Sequence, residues 1–284
     1  MKTEIFYFSG TGNSLFVAKE TQKRIPESEM IPIIGLLKKD RIIGKGKAVG
    51  FVFPVHALTI PVAVRKFIRR VDLTEAEYIF AIATRYGTVF HGFRKIEQLL
   101  KKKKKSLDAQ FVINMCMNDS RQGIYNTPSK EEIDECEQKA LKKLDTAAEI
   151  ILARGSHIED IGDHKIKSAS NPVSAFLIER FVLKLFDISE HTKGVNYFYH
   201  DNKCTGCGVC EKVCLSEKIS IIDGKPVWSK NKFCFMCFAC LNFCPMKSVQ
   251  VSNIPGVKSN SKENGRYPHP YATINDMQIQ KNDL

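Results

Sequence analysis

Eight of the ten cysteines constrain this chain of 284 residues more than any other feature. They form two copies of the spacing C-x-x-C-x-x-C-x-x-x-C, which begin at Cys204 and Cys234. A compact loop with two residues between ligands brings three thiolates together, whereas a [4Fe-4S] cluster needs four. The fourth thiolate of each site must therefore come from elsewhere. The cysteines are Cys204, Cys207, Cys210, Cys214, Cys234, Cys237, Cys240 and Cys244.

The spacing belongs to a longer repeat. An offset of thirty residues also superposes Ile219 on Val249 and Ile221 on Val251, each in an alternating apolar stretch after the fourth cysteine. This pattern predicts a duplicated loop–helix–strand unit. The segment from Tyr197 to Val251 resembles a bacterial-type 2[4Fe-4S] ferredoxin domain.

That resemblance implies that each motif supplies its fourth cysteine to the other cluster. Leu215 stands where the second copy has Pro245, so local rigidity and reduction potential are expected to differ while the ligand is kept. The implied sets are Cys204, Cys207, Cys210 with Cys244, and Cys234, Cys237, Cys240 with Cys214.

These cysteines have two alternative interpretations, zinc binding and disulfide bonding. Pairs of C-x-x-C also bind zinc tetrahedrally. Disulfides are less consistent with this spacing, because no signal-peptide pattern is found. Aromatic residues that exclude water near the second motif favour clusters; they are Phe233, Phe235, Phe238 and Phe243.

The amino-terminal part carries a motif of its own. Lys2 to Phe8 is a β-rich run, and the sequence SGTGNS follows it at Ser9 to Ser14, before an amphipathic stretch. Backbone N–H groups at a helix N-terminus bind phosphate, and hydroxyls add donors. No Lys follows as in a Walker A loop, and the dinucleotide spacing is absent.

This loop resembles the phosphate loop of the flavodoxin family, which implies FMN bound by Ser9, Thr11, Gly12, Asn13 and Ser14. Five short apolar runs alternate with helical patterns and predict a doubly wound parallel sheet. In the flavodoxin order, 2-1-3-4-5, the cofactor lies at the switch point. The predicted strands are Lys2 to Phe8, Met30 to Ile34, Ala48 to Phe53, Tyr78 to Thr84 and Ala109 to Cys116.

The loops after the third and fourth strands should flank the flavin ring. His56 is the group there able to hydrogen-bond the flavin or a substrate, and Tyr86 is the ring able to stack; both are candidate catalytic residues. The loop residues are Pro54, Val55, His56, Ala57, Leu58, Thr84, Arg85, Tyr86 and Gly87.

These features divide the chain into four parts. The polar tail from residue 253 onward has the composition of a disordered segment. Its Gly265 to Pro270 sequence, however, resembles the ending of flavodoxin–ferredoxin fusion proteins of anaerobes, and this resemblance implies that the tail folds back on the body of the protein. The predicted parts are 1–153 (FMN domain), 154–196 (linker and docking helix), 197–252 (ferredoxin-like domain) and 253–284 (tail).

The formal net charge is +12. Two oxidised clusters and one FMN phosphate would lower it to about +6. No nucleic-acid-binding signature is present, so we expect acidic redox proteins, of ferredoxin or flavodoxin type, as partners. The block Lys101 to Lys105 is a solvated turn or a docking patch for them. No run is apolar and long enough for a membrane span, and oxygen-sensitive clusters with free thiols predict the cytoplasm.

The resemblance to the fusion family favours an electron carrier that passes single electrons between two [4Fe-4S] clusters and FMN. One alternative is a ferredoxin-linked flavin oxidoreductase, an enzyme that reduces a small acceptor such as a quinone, nitro compound or activated alkene. The second alternative is a non-redox module that binds zinc and nucleic acid.

Overall fold

A computed structural model describes residues 2–56, 58–87, 90–159, 197–253 and 258–282. The amino-terminal part alternates strands with helices, as the sequence predicts. Its elements are β1 (Thr3–Tyr7), α1 (Asn13–Arg24), β2 (Ser28–Pro32), α2 (Ile33–Leu36), β3 (Ile42–Ile43), β4 (Ala48–Pro54), α3 (Val62–Arg70), β5 (Val71–Asp72), β6 (Tyr78–Arg85), α4 (Gly92–Lys101), β7 (Ala109–Asn114) and α5 (Lys130–Leu152).

Five strands form one sheet in the order β2-β1-β4-β6-β7, and every pair in it is parallel. Numbered among themselves along the chain, these strands are ordered 2-1-3-4-5. β1, β4 and β6 are almost wholly buried, because helices cover both faces of a parallel sheet. The predicted doubly wound α/β fold is confirmed for this part.

The cysteine-rich part is small and built from two matching halves. Each half has a cysteine loop, one helical turn and a strand, thirty residues apart, as the repeat predicts. The strands pair antiparallel as β8 with β11 and β9 with β10. Its elements are β8 (Phe198–His200), α6 (Val209–Lys212), β9 (Ile219–Ile222), β10 (Lys225–Trp228), α7 (Ala239–Asn242) and β11 (Val249–Val251).

The cysteine-rich part packs against the carboxyl edge of the parallel sheet. Val213, Leu215 and Ala239 are fully or almost fully buried within the same core cluster as the residues of β4 and α3. The Phe8 ring, at the carboxyl end of β1, meets the Phe235 ring edge-on at 6.3 Å. This edge is where a doubly wound sheet carries its ligands.

The tail continues along the same edge and ends in a helix of six residues, α8 (Ile274–Ile279). Met277 of this helix is buried in the shared core. No helix in the ranges described above is long and apolar enough to cross a membrane. Most of the predicted linker and docking helix, 154–196, lies outside the described residues.

Candidate functional site

Cys204, Cys207, Cys210 and Cys244 line one cavity, and we call them the exposed set. Cys207 is exposed to solvent, whereas Cys210 and Cys244 are buried. The loop between them turns through left-handed backbone at Gly206, where φ is +72° and an added Cβ would lie 2.1 Å from Gly224 O. Only glycine therefore lets this loop approach the β9–β10 turn so closely.

Cys214, Cys234, Cys237 and Cys240 are close enough to perturb one another's charge, and we call them the inner set. Cys214 and Cys240 are buried, and Cys234 and Cys237 are partly buried. Burial raises the pKa of the Cys237 thiol to about 12, and the charges of Cys234 and Cys214 add to that rise. The pKa of Cys240 is likewise raised, first by burial and then by the other three thiols of the set. A coordinating thiol is deprotonated outright, so loading this set would release protons.

The sulfurs of both sets accept hydrogen bonds from the backbone. Lys218 N–H donates to Cys214 Sγ over 3.3 Å, and Ser248 N–H donates to Cys244 Sγ over the same distance. Met236 N–H donates to Cys234 Sγ over 3.4 Å. Hydrogen bonds of this kind stabilise thiolates and tune cluster potentials.

The two sets match the donor chemistry of [4Fe-4S] clusters: four thiols each, three from one motif and one from the other. Among the described residues, no group of three or more His, Cys, Asp or Glu side chains is arranged to hold a metal ion. The exposed set surrounds a cavity instead of meeting at a point.

The predicted phosphate loop lies at the junction of β1 and α1, and all of it is buried. Its three hydroxyls already have protein partners. Ser9 Oγ accepts from Gly12 N–H at 3.1 Å, Thr11 Oγ1 accepts from Asn118 Nδ2, and Ser14 Oγ shares a 2.7 Å hydrogen bond with Thr84 Oγ1.

The tail closes this loop from the outside. Gln280 pairs with the backbone of Ser9 through two hydrogen bonds of 3.0 Å, one to the N–H and one to the C=O. His269 N–H donates to Thr11 O over 2.7 Å. A Cβ at Gly12, where φ is +106°, would lie 2.5 Å from Ala272 Cβ. The loop therefore suits a phosphate in position and residue type, but its three hydroxyls and the Ser9 N–H are hydrogen-bonded within the protein.

The loops after β4 and β6 lie at the same edge. Val55 N–H bonds Thr84 O at 2.8 Å, which joins the two predicted flanking loops. Burial lowers the pKa of His56 to about 4, so its imidazole is neutral at pH 7. Tyr86 is 55% exposed and reaches solvent. Leu58 and Gly87 lie in these loops as predicted. Pro54 and Arg85 are instead the last residues of β4 and β6, because both still pair with the neighbouring strand, and Ala57 is outside the described residues.

The inner set and the phosphate loop are in direct contact. A Cβ at Gly10 would lie 2.2 Å from Cys237 O and 2.8 Å from Cys237 Cβ, so the two loops touch through backbone. The His56 ring meets the Phe8 ring at 6.0 Å on the other side. The structure thus brings the predicted FMN loop, His56 and the inner set to one edge.

Several residues of this edge carry no sequence motif that would single them out. Asn118 follows β7 and bonds both the phosphate loop and, through its carbonyl, Asn242 Nδ2 of the cysteine-rich part. Gln280 lies 271 positions from its partner Ser9. For the tail, the one signal in the sequence is the resemblance of the Gly265 to Pro270 segment, which implies that the tail folds back on the body of the protein.

The sheet topology defines the class of this chain: an α/β protein with a flavodoxin-like fold, joined to a cysteine-rich module. No protein-family model matches the chain, and no curated protein matches it. Among solved structures, a flavodoxin from the domain Archaea is similar over 52% of this chain and 99% of its own, with 14% identity and a TM-score of 0.31.

An azoreductase from Bacillus anthracis str. Sterne aligns over 53% of this chain and 98% of its own, with 12% identity and a TM-score of 0.33. An NAD(P)H:quinone oxidoreductase from Methanothermobacter marburgensis aligns over 53% and 96%, with 11% identity and a TM-score of 0.31. Each likeness covers about half of this chain, and at these scores none carries an argument about function.

Proposed function

We propose that this protein is an electron carrier that holds two [4Fe-4S] clusters in its cysteine-rich part and FMN at the carboxyl edge of its parallel sheet. The observation that carries the proposal is the grouping of the eight cysteines into two sets of four, each with three cysteines from one motif and one from the other. When bound, the clusters would exchange single electrons, and FMN would exchange one or two.

The placement of the two sets supports a route for electrons between the surface and the edge of the sheet. The exposed set has Cys207 at the surface, where a partner can approach. The inner set has its Cys237 loop against Gly10, beside the predicted FMN loop. The exposed set is therefore the terminal for protein partners, and the inner set connects it to the sheet edge.

Lysines near the exposed set suit an acidic redox partner. Lys203, Lys225 and Lys247 are exposed around its loops, and Lys225 Nζ donates to Cys204 O over 2.6 Å. The block Lys101 to Lys105 is placed differently, since Lys105 Nζ donates to Ala76 O just before β6 begins. That block lies at the amino edge of the sheet, away from both sets, and is the poorer docking patch.

FMN is the second part of the proposal, and it requires the tail to release the phosphate loop. Ser9, Thr11 and Ser14 would then exchange their internal hydrogen bonds for phosphate oxygens, and the N–H groups at the start of α1 would face the same anion. Neutral His56 would remain as a hydrogen-bonding group beside the ring.

Anaerobic purification with metal, sulfide and flavin analysis tests the proposal. We expect about eight irons and eight sulfides per chain, with EPR signals of reduced [4Fe-4S] clusters. A colourless protein that contains zinc and no iron would overturn it in favour of a zinc module. A protein that contains iron and sulfide but binds no FMN, even when the chain is shortened to end before residue 258, would overturn the FMN part of the proposal. The remaining function would be that of an electron carrier with clusters alone.

A further inference from the structure

The two halves of the cysteine repeat differ in charge at the matched position four residues after the fourth cysteine. This inference rests on the proposed function. Cys214 and Cys244 are equivalent in the repeat, and each is the thiol that crosses to the other set. Each accepts an N–H bond of 3.3 Å from the residue four positions later, which is Lys218 in the first half and Ser248 in the second.

Lys218 is a buried cation. The residue is only 1% exposed, although lysine is almost never fully buried unless its charge is compensated. Its ammonium donates to Lys232 O over 2.7 Å and to Ser229 O, which are neutral carbonyls. The Lys232 carbonyl lies two residues before Cys234, so the side chain ends beside the inner set. Burial lowers the pKa of the Lys218 ammonium, and the charges of Cys234 and Cys214, two members of that set, oppose this change.

Ser248 carries no charge at the matched position. Its Oγ shares a hydrogen bond of 3.5 Å with Cys244 Sγ, a member of the exposed set. The cation near Cys244 comes instead from the tail. Arg266 donates from Nε to Leu241 O over 2.9 Å and from Nη2 to Val249 O over 3.0 Å, and both carbonyls flank Cys244 in the fold.

A cluster gains one negative charge when it is reduced. A cation held nearby in a medium of low dielectric stabilises the reduced form and raises the reduction potential. We propose that Lys218 sets the potential of the cluster in the inner set and that Arg266 sets that of the cluster in the exposed set. The tail is therefore an electrostatic part of one cluster site as well as a cover for the phosphate loop.

A purely structural role is the competing explanation, because both side chains also hold backbone carbonyls together. Charge separates the two explanations. Lys218→Gln keeps a donor but removes the charge, and Arg266→Lys keeps the charge but loses the planar fork that reaches several carbonyls. If these residues tune the clusters, the reduction potential should change whenever the charge is removed. If they only hold the structure together, the effect should depend on which hydrogen bonds are lost.

The test is an anaerobic redox titration of the full-length, cluster-loaded protein, followed by EPR, after iron and sulfide have been counted in each variant. Cys214→Ser assigns the signal of the inner set. We expect Lys218→Gln and Lys218→Met to lower the midpoint potential of the inner cluster alone. Arg266→Met should lower that of the exposed cluster alone, and Arg266→Lys should restore most of it.

Ser248→Ala is the matched comparison variant in the second half, and we expect it to lower only the exposed cluster's potential, because it removes the hydroxyl beside Cys244. Unchanged potentials in Lys218→Gln and Arg266→Met, with both clusters present, would overturn the inference, as would an equal shift of both clusters in each variant. Absence of iron from the wild-type protein would instead refute the proposed function, so the two failures are distinguishable.

Discussion

Gln280→Ala should open the phosphate loop and increase the apparent affinity for FMN. The Gln280 side chain is fully buried and forms two hydrogen bonds of 3.0 Å with the Ser9 backbone. Each such bond contributes about 1 kcal/mol net, so the variant weakens tail docking by about 2 kcal/mol. If the docked tail excludes the phosphate, that change lowers the apparent dissociation constant up to about thirtyfold.

The assay is a titration of the flavin-free protein with FMN, followed by quenching of flavin fluorescence. Asn275→Ala is the control, because Asn275 is exposed and lies on α8, the helix that ends directly before Gln280. Limited proteolysis of the tail measures docking independently in both variants. A tail that becomes protease-sensitive in Gln280→Ala while FMN affinity stays at the control value would refute the competition between tail and phosphate.

Three further changes test the site. Cys214→Ser should disturb chiefly the inner cluster, and an EPR spectrum that loses only the exposed cluster would contradict the cross-ligation. Gly10→Ala places a Cβ 2.2 Å from Cys237 O and should alter the EPR signal of the inner cluster, whereas Gly123→Ala, whose Cβ would meet its nearest atom at 3.6 Å, should not. Burial lowers the pKa of His269 from 6.5 to about 4, so the released tail takes up a proton that the docked tail excludes. Tail proteolysis should therefore rise as pH falls from 6.5 towards 4, and His269→Gln should flatten that dependence; a wild-type tail equally resistant at pH 7 and 4.5 would count against it.

The surroundings of His269 explain its lowered pKa. Its ring is 1% exposed and stacks on Phe16 with centroids 4.8 Å apart. Glu137 Oε1 lies 3.3 Å from its Nε2, which would favour the protonated ring. Burial outweighs that attraction, and it also raises the pKa of the Glu137 carboxyl, so both groups of the pair tend towards their neutral forms.

Local patterns predicted most of the sheet and the repeat. Apolar runs identified the five strands because parallel strands covered on both faces are almost entirely hydrophobic. One strand boundary differs from the prediction. β2 spans Ser28–Pro32, whereas the apolar run predicted Met30 to Ile34, because the backbone turns into α2 immediately after Pro32. The thirty-residue offset predicted two matching halves, and both halves have their helix and strand at equivalent positions.

Local sequence patterns specify the candidate donor atoms: which cysteines form the motifs, where the phosphate-type loop lies, and which strands build the sheet. Those features are local, since spacing and periodicity act over a few residues. Only the tertiary structure placed Lys218 in the interior, Arg266 beside Cys244 and Gln280 on Ser9. Such contacts join residues up to 271 positions apart, and their energy comes from burial that no single segment encodes.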